Sequence, residues 1–201
     1  MFYYFLKIFI APIVSLVWVK KITGKDNIPK KGGVIIAANH ESYFDFITLY
    51  SIVPRPMHFL AGEVFFKKKQ WAWLMKLTKQ IKVDRETKDK SESLRYAISY
   101  LKDGKIIGIF PEGTRSSDGK LQKAYNGAVK LAIESGVPIV PVGIKGTYEI
   151  MSRHDKYPGF KKCTLAFGEP IFFNKDSADL TTQTNMLMNK IGDLCGEVYN
   201  F

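Results

Sequence analysis

The sequence predicts a single α/β domain with a largely covered central sheet flanked by helices, preceded by an apolar helix at the N-terminus. Three observations predict it. Short continuous apolar runs alternate with segments of helical periodicity, the pattern of strands buried on both faces between helices. The 201 residues are 46% hydrophobic, enough for one core of ordinary size. No internal repeat and no Pro- or Gly-rich linker divides the chain.

Taken in order, Phe2 to Val19 is an apolar stretch with one charge, Lys7, and its Pro12 would kink or interrupt a helix. Gly24 to Gly33 reads as a turn-rich connector. Val34 to Ala38 is a strand covered on both faces. Ser42 has the look of an N-cap, with a helix over Tyr43 to Val53 and Pro54 stopping it. Met57 to Ala61 and Ile81 to Val83 predict strands around a helix at Phe65 to Thr78. Leu94, Ala97, Ile98 and Leu101 stand at helical spacing within Ser91 to Lys102, and Gly104 closes that helix. Lys105 to Phe110 is the clearest strand. A helix over Ala124 to Ser135 follows, with Gly136 past its end. The run Val137 to Ile144 contains Pro138 and Pro141, which predicts a sheet edge or terminus. Cys163 to Phe167 and Leu180 to Tyr199 predict a last strand and a closing helix.

Charge is uneven. Thirty basic and nineteen acidic side chains leave +11, and residues 1–90 hold 16 of the basic against 7 of the acidic. An anionic partner is expected. For Phe2 to Val19 a cleaved signal peptide lacks its positive leading region and its small-residue cleavage site. A buried core helix and an interfacial or barely spanning anchor are the remaining readings. The aromatic start and the Lys20-Lys21 end favour the anchor, with the protein on the cytoplasmic face of the cell membrane. Two cysteines, Cys163 and Cys195, fit a reducing compartment and exclude a disulfide scaffold. Between Glu63 and Lys82, lysines interleave with aromatics. Such a stretch suits single-stranded nucleic acid, a membrane-surface helix or a solvated helix face. No nucleic-acid motif accompanies it, so no nucleic-acid partner is expected.

Polar clusters follow the apolar runs. After the first comes Asn39-His40-Glu41-Ser42-Tyr43-Phe44-Asp45. His40 and Asp45 are out of phase on a regular helix and meet only if His40 lies on the turn before it. Asp45 would then fix one imidazole nitrogen and leave the other free as a base. Equally, Ser42-x-x-Asp45 is a capping box that needs no chemistry. The clearest strand runs into Phe110-Pro111-Glu112-Gly113-Thr114-Arg115-Ser116. This is either a tight reversal or a phosphate grip built from a guanidinium, hydroxyls and turn amides. Val83-Asp84-Arg85 is a surface ion pair or a further anion contact. Spacing excludes a P-loop at Gly113–Lys120 and a Gly-x-Ser-x-Gly elbow. The three histidines and two cysteines lack metal-ligand spacing, so no metal is expected.

The His-x4-Asp block and the Glu-Gly-Thr-Arg block, in this order and about seventy residues apart, resemble those of the glycerolipid acyltransferases, in their 1-acyl-glycerol-3-phosphate (lysophosphatidic acid) branch. Ile81-Lys82-Val83-Asp84-Arg85 and Val137 to Val142 are similar to two further blocks, and the resemblance spans roughly residues 20 to 172. Lys79 stands where a glycine is common, Gly62 where many members have lysine, and Ala124-Tyr125 where Phe-Lys is usual. With the apolar N-terminal run, this resemblance divides the chain into a membrane-associating helix, 1–21, and an acyltransferase domain, 22–201. It implies acyl transfer from acyl-ACP or acyl-CoA to a lysophospholipid hydroxyl at an anionic membrane surface, without a cofactor. His40 would be the general base and Asp45 its orienting partner. Arg85, Glu112, Gly113, Thr114 and Arg115 would bind the acceptor's phosphate. A related enzyme with another lysolipid acceptor and a non-catalytic module for anionic membranes are the rival readings.

Overall fold

In the computed structural model, which describes residues 2–67, 69–83 and 91–201, the apolar runs form strands of one mixed sheet. The strands are β1 (Val19–Thr23), β2 (Val34–Ala38), β3 (Met57–Gly62), β4 (Ile81–Val83), β5 (Ile106–Ile109), β6 (Ile139–Lys145) and β7 (Cys163–Phe167). Their order is β1-β7-β6-β2-β5-β3-β4. From β6 to β4 all neighbours are parallel; β7 runs antiparallel to β6, and β1 parallel to β7. The helices are α1 (Phe2–Phe5), α2 (Ala11–Trp18), α3 (Phe44–Ile52), α4 (Val64–Lys67), α5 (Lys69–Leu77), α6 (Ser91–Lys102), α7 (Gly127–Ser135), α8 (Thr147–Ile150) and α9 (Leu180–Cys195).

Strand alternation sends the apolar residues of β2 to two cores. Ile35 and Ala37 pack with α6, α7 and α9 through Leu101, Leu131 and Leu187. Val34, Ile36 and Ala38 pack with α3 through Phe44, Leu49 and Ile52. A strand wholly buried on both faces needs its continuous apolar run, since every side chain meets a helix layer.

Two expectations are corrected. Val137 to Ile144 is no sheet edge: β6 lies between β2 and β7. Ile139 exchanges both backbone bonds with Ile171, so alternation turns the Pro141 nitrogen to that same side. There the residues 168–170 face only 140–141 before Val142 pairs with Phe167. The extra residue makes a bulge, and a strand nitrogen without hydrogen loses no ladder bond at a bulge. The second correction is β1, where the sequence reads as the charged tail of a helix. Lys20 and Lys21 belong to an exposed edge strand, where charge protects against further pairing.

The N-terminal stretch is helical from Phe2 to Trp18, α1 passing through a π-helical turn at Leu6–Ile10 into α2. Pro12 directly follows the π-helical turn in which Ala11 N donates to Leu6 O, five residues back, and having no N–H it cannot extend that bonding pattern. One face docks on α3. Ala11 and Val14 are buried, the Trp18 ring meets Phe44 at 5.2 Å, and Lys7 Nζ donates to the carbonyls of Ser51 and Val53 at the α3 C-terminus. Among the described residues no helix is long and apolar enough to cross a membrane. Tyr4, Phe5, Ile8, Phe9, Ile13 and Leu16 are exposed on the other face.

Candidate active site

β2 ends in Asn39, whose side chain behaves as one more ladder residue. Its Oδ1 accepts from Ile144 N and its Nδ2 donates to Ile144 O, both at 2.8 Å. This pins the following loop to β6. His40 lies on that loop and Asp45 in the first turn of α3, and His40 Nδ1 is 2.8 Å from Asp45 Oδ2. The same Oδ2 accepts from Glu41 N at 2.7 Å and Ser42 N at 2.8 Å, while Oδ1 accepts from Thr147 Oγ1 at 2.5 Å. An oxygen already accepting two backbone N–H groups is an acceptor for the imidazole as well. That assigns the proton to Nδ1 and leaves Nε2 with a free lone pair. The ring stacks on Phe110, centroids 4.0 Å apart and planes 16° apart, and meets the edge of Phe46 at 5.3 Å. Its rotation is thereby fixed by packing as well as by Asp45.

The turn after β5 closes over this loop. Glu112 is 2% exposed, and its Oε1 accepts from His40 N at 3.1 Å while Oε2 accepts from Gln122 N at 3.3 Å. Ser116 N donates to His40 O at 2.7 Å. Both backbone groups of His40 are therefore held by residues 112 and 116. Gly113 supports the turn with φ +68°, and a Cβ there would press on the Tyr125 ring at 3.2 Å. Thr114 is exposed, and the Arg115 guanidinium lies 3.7 Å over the Tyr43 ring, on the loop that carries His40. Burial pushes Glu112 up to about 8 against the pull of its two backbone donors. Burial, and then the charge of Asp45, push Glu41 up to about 8 as well.

β2 and β5 are neighbours whose following helices, α3 and α7, cover opposite faces of the sheet. A crevice outside the carboxyl ends of two such strands is where open α/β sheets place ligands. The sequence profile of the Acyltransferase family matches residues 20–145. The chain belongs to that family. It is 35% identical over 160 residues to a 1-acyl-sn-glycerol-3-phosphate acyltransferase of Bacillus subtilis, covering 79% of this chain and 77% of that one. A chloroplastic protein of the same name from Brassica napus is 31% identical over 132 residues, but this match spans only 38% of that longer chain. The crystal structure of the 1-acyl-sn-glycerophosphate acyltransferase from Thermotoga maritima superposes with a TM-score of 0.78 at 26% identity, over 98% of this chain and 81% of that one.

In this acyltransferase the structure brings His40, Asp45, Glu112 and Gly113 together and sets Arg115 beside them through Tyr43. Glu112 is turned inward, each of its oxygens accepting from a backbone N–H group. Arg85 lies outside the described residues. The sequence reading missed Asn39, Thr147 and Tyr43 as parts of the site. Asn39 and Thr147 act across more than a hundred residues, through the Ala38–Val142 register, and no local pattern announces that.

Proposed function

We propose that this acyltransferase moves a fatty acyl group from acyl-ACP or acyl-CoA to the sn-2 hydroxyl of 1-acyl-glycerol-3-phosphate, giving phosphatidic acid. The His40–Asp45 contact with Nε2 free carries the reading, and the names of the relatives supply the substrate class. His40 Nε2 takes the proton of the acceptor hydroxyl as its oxygen attacks the thioester carbonyl carbon. The tetrahedral adduct collapses with cleavage of the C–S bond, and the leaving thiolate recovers the proton from the imidazolium. Asp45 stabilises that imidazolium in one orientation. Arg115, the turn amides and Arg85 hold the acceptor phosphate, which positions the hydroxyl beside the ring. Glu112 and Gly113 shape the turn.

The membrane reading belongs here too. The exposed apolar face of α1–α2 suits a helix lying in the headgroup boundary, docked on α3 by its other face, on the cytoplasmic side. Purified protein with acyl donor and lysophosphatidic acid tests the chemistry, with products identified by mass spectrometry over a panel of lysolipids. His40→Ala should lower turnover by about 10²–10⁴. Parent-like turnover in that variant would end the mechanism, and a preference for another lysolipid would replace the acceptor.

A further inference from the structure

We propose that residues 153–162, between α8 and β7, form a second membrane-contact element that sets Tyr157 and Phe160 into the headgroup boundary of an anionic bilayer. The proposal rests on the membrane reading above and extends it to a separate part of the chain. Phe160 and Tyr157, at 87% and 82%, are the most exposed large apolar side chains among the described residues. Around them stand Arg153, Lys156, Lys161 and Lys162, and all four are exposed. The ion pairs among the described residues leave these cations out. The segment's single carboxylate, Asp155, is turned back onto Ser152 N and Ser152 Oγ at 2.8 and 2.7 Å. Rings at the tip and cations at the flanks are the distribution that a lipid headgroup layer rewards: apolar area enters the boundary while ammonium and guanidinium groups meet phosphates.

Topology says which way this surface faces. β7 runs antiparallel to β6, so its N-terminal end lies at the end of the sheet where β2 and β5 deliver His40 and Arg115. β1 is parallel to β7 with Val19 opposite Cys163, which places residues 160–162 beside the last turn of α2. Two bonds fasten the contact. Trp18 Nε1 donates to Gly159 O at 2.9 Å, and Lys162 Nζ donates to Leu16 O at 3.1 Å. The exposed Ile13 and Leu16 and the exposed Phe160 therefore belong to one continuous edge beside the catalytic end of the sheet. A bilayer against that edge fits both the charge and the apolar continuity better than a compact protein partner does.

Co-sedimentation of the full chain with vesicles of phosphatidylcholine plus phosphatidylglycerol tests the proposal, with pure phosphatidylcholine vesicles as the comparison. Two double variants are measured beside the parent: Tyr157→Ser with Phe160→Ser, and Ile13→Ser with Leu16→Ser. All four side chains are exposed, and circular dichroism should show the parent fold in both variants. The first variant should weaken partition to the mixed vesicles on the order of tenfold. Changing Arg153, Lys156 and Lys161 to Gln should reduce the salt dependence of that partition. A dye on Tyr157→Cys should shift to the blue when vesicles are added. Unchanged partition of the first variant overturns the proposal, whatever the second variant does. If the first variant weakens binding and the second does not, this segment stands and the α2 face is the part withdrawn. Intact vesicle binding with lost binding of an acidic acyl-carrier protein would overturn it in favour of a protein-docking surface.

Discussion

Asp45 accepts four hydrogen bonds, and only one of them comes from His40. The bond from Ser42 N is half of a capping box, and Ser42 Oγ accepts from Phe44 N at 3.0 Å rather than completing it. One carboxylate therefore starts α3 and orients the imidazole, so the two readings of this motif describe the same atoms. Thr147 holds Oδ1, the oxygen that neither the cap nor the imidazole uses. Replacing Thr147 by Val removes a bond to a charged acceptor while keeping the shape. Turnover should fall roughly tenfold with the acceptor KM little changed, and Thr147→Ser should restore most of it. Steady-state kinetics on the pair check this, and a parent-like kcat in the Val variant would reduce Thr147 to packing. His40 and Asp45 are legible in the sequence because five residues of one turn bring them together. Thr147 is not, because α8 reaches them only through β6.

Among elements, the α5–β4 junction shows what a single backbone position demands. Gln80 N donates to Met75 O at 2.9 Å and Lys79 N to Lys76 O at 3.1 Å, the paired bonds of a Schellman end. The residue between helix and strand must be left-handed. Here it is Lys79 at φ +52°, the one non-glycine residue with positive φ among the described residues. The sequence already marks this place, since a glycine is common there in the proteins this chain resembles. Lys79→Gly should relieve that strain and raise stability by about 0.5–1 kcal/mol after the added freedom of the unfolded chain is counted. Denaturant unfolding checks it, and a loss of stability would mean that the lysine side chain matters more than its backbone. Most elements are legible from periodicity, because β2, β5 and α6 each answer to one pattern. β1 and the interior position of β6 are not. An exposed lysine-bearing edge strand has no apolar run, and a proline in a buried strand becomes acceptable only once a bulge opposite it is known.

At the scale of the whole molecule, folding gathers three carboxylates, Glu41, Asp45 and Glu112, at one end of the sheet. Burial holds Glu41 and Glu112 up at about 8, against an ordinary value of 4.5. Between those values the folded protein keeps protons that the unfolded chain has released. Stability linked to these groups is therefore full below pH 4.5 and is lost as pH rises through 8. Other groups act in the opposite sense outside a narrower window. His58, lowered by burial from 6.5, adds stability with rising pH below that value. Lys7, lowered by burial to about 8, does so above pH 8. From pH 6.5 to 8 the carboxyls dominate, and unfolding free energy should fall with pH by up to about 1.4 kcal/mol per unit for each carboxyl. Glu112→Gln removes one titrating group, so its stability should decline less steeply across this window even if its absolute stability is lower. Urea titrations of parent and variant at closely spaced pH values measure both slopes. Identical slopes would show that Glu112 is ionised throughout, and that its two backbone donors outweigh its burial.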